Sequence, residues 1–224
     1  MRDPFEQRVK RTNAQLVQAV RRTLPPGVTL DLSFADAVLA AYEPLEASET
    51  ALEAAAALGH YRLAAAAAAQ AAMADAATLA FDLAAGDALR HLADAVAAGG
   101  RWLANAYDLR LPRGVAPDPA AKEFLARIAF ADPKVHAALV AQQTWLRDIQ
   151  GIGRRAQSEP LGLRADRSDR IPGVSGAVPA ALALAEHQAE LDRYLRTVTA
   201  AALAQLAAGP RPSRATPDAA WLNE

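Results

Sequence analysis

Four histidines carry most of the ionisable chemistry open to this chain, which has no cysteine. Without thiols there is no Cys nucleophile, no Cys–Zn site and no disulfide. Asp87, His91 and Asp94 fall at helical spacing, so in a helix they share one face. Glu186, His187 and Glu190 cluster in the same way further along. Imidazoles with carboxylates on facing helices are the donor set of a bundle metal site, and Asp87, His91, His187 and Glu190 are its candidates. The Glu-x-x-His pair that such sites place on two helices does not occur. A solvated polar face accounts for these residues more simply, and no cofactor is expected. There is also no P-loop, no Gly-x-Gly-x-x-Gly after a strand and no Gly-x-Ser-x-Gly elbow. Glu43, Glu46, Glu49 and Glu53 surround a helix start, where carboxylates complement the dipole.

A sharper pattern spans 146–156: Leu146, then Ile149-Gln150-Gly151-Ile152-Gly153-Arg154-Arg155-Ala156. It resembles the helix-hairpin-helix motif of non-specific DNA-binding proteins, whose core reads apolar-x-Gly-apolar-Gly-x-x-x-Ala, although Ala156 comes one position early for that pattern. The resemblance implies a tight turn at Gly151, Ile152 and Gly153 whose backbone N–H groups meet a phosphate. It also implies counter-charge from Arg154 and Arg155, with Arg164, Arg167 and Arg170 nearby. Gln150 stands where the family has a small residue or Pro, and Pro160 falls within the expected second helix. Capping of the preceding helix by Gly151 or Gly153 is the alternative. Gly59-His60-Tyr61-Arg62 and Arg90-His91-Leu92 are loosely similar to the HEPN helical ribonucleases. Arg90 and His91 are adjacent where that family spaces its Arg and His, so no catalytic residue carries over.

The elements that hold these residues are helices. Asp3-Pro4, Asp118-Pro119 and Asp132-Pro133 each put an N-cap Asp before a Pro at the first helical position. The first helix runs to about Leu24, with Phe5, Val9, Leu16 and Val20 along its apolar stripe, and a short second one covers Phe34 to about Tyr42. Ser48 to Ala98 then reads as almost unbroken helix, with Thr50 and Glu53 as a capping box. A straight helix of that length would span roughly 75 Å, so a break is expected at Gly59 or Gly86, or else an elongated molecule. Leu52, Gly59, Ala66, Met73 and Ala80 recur every seven residues. This seam of small residues lets another helix approach closely, within the bundle or across a self-association interface. Gly99-Gly100 should end the run. Helices then follow at Trp102–Leu109, Pro119–Phe130, Pro133 to about Gln150, and Pro179–Ala208, with 151–176 irregular.

Composition supports the same picture. Alanine makes up 59 of 224 residues and aromatics only 5%, which favours helix and excludes a β-sandwich or barrel. Residues 25–96 carry 10 acidic and 2 basic side chains, whereas 1–24 carry 2 and 6. The longest uncharged stretch, 171–185, is fifteen residues, too short to cross a bilayer, and the first residues lack the apolar run of a signal peptide. The expectation is a cytoplasmic, all-α, elongated bundle of six to eight helices. Residues 1–208 form one domain, and 209–224 a Pro-rich tail. Its expected role is non-catalytic, through self-assembly or a protein partner. The alternatives are nucleic-acid binding at the 146–156 motif and a metal-dependent bundle enzyme.

Overall fold

Alanine supplies helix propensity without bulk, and the Ala-rich run uses this to fold back on itself. The computed structural model describes residues 4–36, 39, 45–74, 79–158, 161–164 and 180–208. Among them are seven helices and no strand: α1 (Pro4–Thr23), α2 (Leu45–Ala74), α3 (Leu79–Ala106), α4 (Lys122–Ala131), α5 (Pro133–Ala141), α6 (Gln143–Ala156) and α7 (Ala180–Ala208). The helices α2 and α3, each about 45 Å long, pack along their length as an αα-hairpin.

The first of them ends at Ala74 and the second begins at Leu79, while Gly59 and Gly86, the expected break points, both lie inside helices. Gly99-Gly100 does not stop the run either, and α3 continues through both to Ala106. These glycines serve contact. A Cβ on Gly100 would lie 2.8 Å from Cδ of Pro119, and one on Gly59 would strike the backbone oxygen of Thr29. A Gly costs about 1 kcal/mol in a helix interior, and here it admits a second backbone. Thr50 is likewise inside α2 rather than at its cap, its hydroxyl donating to Ala47 O at 3.0 Å.

At the centre, α3 packs against α2, α6 and α7, while α1 lies on α2. The core is built from its larger side chains, Trp102, Phe81, Leu89, Leu92 and Leu103, with Tyr61, Tyr194, Phe124, Ile128 and Leu139 from its neighbours. Two tyrosines act as crosslinks: Tyr61 donates to Leu184 O, joining α2 to α7, and Tyr194 donates to Val96 O at 3.0 Å, joining α7 to α3. Arg101 closes on Glu53 at 2.8 Å across the hairpin.

The Asp-Pro signals act differently. Asp132 caps α5, one carboxylate oxygen accepting from Lys134 N and Val135 N and the other from the Tyr107 hydroxyl at 2.9 Å. Asp118 accepts from Ala120 N at 2.8 Å, but only a turn follows, and α4 starts at Lys122. The expected helix from Pro133 to about Gln150 is split at Gln142 (φ −103°, ψ 4°), whose amide donates to Glu190 of α7 at 2.9 Å. Asp3 and the 209–224 tail lie outside the described residues.

Candidate interaction surface

One stripe of α2 changes character along its length. Its basal half is covered by the chain itself: Leu52 is buried, and Gly59 is closed off by the Thr29 backbone and the Val28 side chain. Leu63 marks the edge, resting near Gly27 and 41% exposed. Beyond it the covering stops. Ala66 and Ala80 are exposed, and Met73 is 81% exposed. On α3, Leu79 and Leu83 are 66% and 52% exposed. The seam expected at Leu52, Gly59, Ala66, Met73 and Ala80 is thus divided: Leu52 and Gly59 lie inside the bundle, Ala66 and Met73 on an uncovered face of α2, and Ala80 is not on the stripe at all, because α2 ends at Ala74 and Ala80 belongs to α3. Further along α3, Asp87 and Arg90 pair at 3.1 Å.

In the groove between the same two helices, His60 and His91 stack with ring centroids 4.7 Å apart and planes 22° from parallel. Arg90 Nη2 lies 3.5 Å from His91 Nε2, and Asp94 Oδ2 lies 3.5 Å from Nδ1. Burial, and then the neighbouring His91, lower the His60 pKa below its usual value, while Asp94 opposes them. Sequence spacing placed His91 with Asp87 and Asp94 but gave no sign of His60, because the pairing depends on the hairpin register.

The residues of the 146–156 motif form no turn. Gly151, Ile152 and Gly153 all lie within α6, which runs on to Ala156. Ile152 is buried, and a Cβ on Gly153 would strike Ala93 of α3. Ile152 and Gly153 belong to the contact face of α6 while Gly151 faces open space, and no phosphate-facing hairpin forms here. Arg154 and Arg155 are exposed on the last turn, and Arg164 is half-buried. Arg167 and Arg170 lie outside the described residues. The basic helix α1 packs on α2, whereas α6 packs on α3 and α5, and among the described residues these two helices share no contact.

The four metal candidates stay apart. Asp87 is held by Arg90 and His91 by its own neighbours, both on α3. On α7, Glu190 accepts from Gln142 and pairs with Arg193 at 2.7 Å. His187 is buried, and its Nδ1 accepts the Trp145 indole N–H at 3.1 Å. Among the described residues, no three His, Asp or Glu gather as a metal-binding set, and no helix is long and apolar enough to cross a membrane. At the end opposite the tip, a cavity of about 660 Å³ is lined by Ala47, Asn105, Asp108, Arg110, Leu111 and Pro117. Comparison with protein-family models, characterised proteins and solved structures finds no match to this chain.

Proposed function

We propose that this protein is a non-catalytic interaction module that self-associates through the tip of the α2–α3 hairpin. The uncovered second half of the α2 stripe carries this reading. Its small and large residues alternate in a self-complementary way. An antiparallel two-fold pairing centred between Ala69 and Gln70 sets Met73 of one copy opposite Ala66 of the other, a knob facing a hole in both directions. An apolar partner surface of the same composition therefore fits it.

The test is mass in solution across a concentration series. The wild type is expected to show a concentration-dependent dimer. Met73→Glu with Leu83→Glu, and separately Ala66→Trp, should yield monomers of unchanged helical content. A wild type that stays monomeric at high concentration overturns the reading. Nucleic acid co-purifying with the chain, seen in the A260/A280 ratio, would point to the basic segments instead.

A further inference from the structure

His60 and His91 meet between α2 and α3 beside three ionised side chains. The rings stack with centroids 4.7 Å apart and planes 22° from parallel, so each presents its face, not a nitrogen, to the other. On α3, Asp94 Oδ2 lies 3.5 Å from His91 Nδ1, and Arg90 Nη2 lies 3.5 Å from Nε2. Arg90 is itself paired with Asp87 at 3.1 Å. On α2, Arg62 is engaged by Asp31 and Asp192 instead. Among the described residues, the charged groups that act on His60 are His91, Asp94 and Arg90, all from α3. With both imidazoles neutral, Asp87, Arg90 and Asp94 leave one negative charge in excess. A proton on His91, beside Asp94, cancels it. A second proton, on His60, turns the excess positive and sets two imidazolium rings face to face across the helix contact, where they repel.

We propose that the His60–His91 stack is a proton-operated latch on the α2–α3 hairpin, closed while at most one ring is charged and released toward the tip when both are. Burial, and then His91, hold the His60 pKa below its usual value, with Asp94 opposing. The closed hairpin therefore resists the second proton, and an opened one accepts it. Because the open form binds more protons, closure is fully favoured above about pH 6.5 and weakens as pH falls below it. The base of the hairpin has fastenings that do not titrate in this range, such as Arg101 on Glu53 and the Thr29 backbone against Gly59. The side beyond the stack, with Ala66 and Met73 exposed, is the part free to part. On the self-association reading, acid would thereby disturb the contact face. The latch itself lies within one copy and holds whether or not the chain pairs.

The experiment uses the full chain. Since it has no cysteine, Gln70→Cys with Leu83→Cys puts one spin label on each helix near the tip, and pulsed EPR reads the distance between them. Dilution into unlabelled protein removes any signal between copies. The expected result is a narrow distribution at about pH 7.5 that shifts to longer distances and broadens at about pH 5. His60→Phe and His91→Phe keep an aromatic ring without the proton, and each should abolish the shift. Asp94→Asn should move it to higher pH, and His187→Leu should leave it in place. In the unlabelled wild type, NMR of the ring protons should show His60 taking its proton only after His91. A distance independent of pH, the same shift in His91→Phe, or His60 protonating first would each overturn the latch. The NMR readout is made on wild type and so does not depend on the variants folding.

Discussion

The ring of Tyr194 stands where a side chain on Gly99 would be: a Cβ there would lie 2.6 Å from Cε1 and 2.9 Å from the hydroxyl oxygen. The same hydroxyl donates to Val96 O at 3.0 Å, one turn earlier on α3. Glycine at 99 thus sets how closely α7 approaches α3. Gly99→Ala is expected to destabilise by about 1–3 kcal/mol through overpacking, despite the helix propensity gained. Tyr194→Phe should cost about 1 kcal/mol for the lost hydrogen bond. Urea midpoints measure both, and a neutral Gly99→Ala would contradict the close contact.

Two glycines on one helix should respond in opposite directions. A Cβ on Gly153 meets Ala93, whereas one on Gly151 meets nothing within 4 Å. Gly151→Ala is expected to stabilise by up to about 1 kcal/mol, and Gly153→Ala to destabilise by about 1–3 kcal/mol. A phosphate-binding turn would predict losses of function from both and a stability gain from neither.

His187 gives the fold an acid-sensitive step. Burial lowers its pKa from 6.5 to about 4, with Glu190 opposing, so the folded chain holds it neutral. The unfolded chain takes up that proton near 6.5. Between these values the unfolded state binds more protons, so the contribution is full above about pH 6.5 and is lost as pH falls toward 4. Its size is about 3 kcal/mol. His187→Leu should flatten this part of the stability–pH curve. It should also lower stability at neutral pH, since Trp145 loses its acceptor. Equal slopes for variant and wild type would show that His187 is not the titrating group.

Asp82 is buried on α3 and accepts the Leu163 N–H at 2.8 Å, tying residues 161–164 to the hairpin. Asp82→Ala leaves that N–H without its acceptor at a cost of about 1–3 kcal/mol. Hydrogen exchange at Leu163 should accelerate ahead of the core amides. Unchanged protection there would mean that the tether contributes little.

Helix content was legible in the sequence because alanine propensity and Asp132-Pro133 are local signals. The last helix was placed to within a residue, Ala180–Ala208 against an expected Pro179–Ala208. What failed was the meaning of glycine. Gly59, Gly99, Gly100 and Gly153 look like breakers or turns when read locally, yet each admits a neighbour that is distant in the chain. The seam was legible as a pattern, but its division into covered and uncovered halves depends on where the 25–30 segment ends. His60 and His91 met only through the hairpin register, and His187 met Trp145 only through the docking of α7.

The half-covered stripe also makes α2 uneven in its resistance to opening. From Ala47 to Tyr61 most residues are buried, whereas from Leu63 to Ala74 only Ala68 is. The helix is therefore anchored at its base and loosely held at its end. Its terminal turns should unravel on their own, at a free energy well below that of global unfolding. In an isolated protomer, amides past Leu63 would exchange by this local fraying while those near Leu58 wait for the whole molecule to open. Protection that spreads along α2 as concentration rises would report the ordering of its tip.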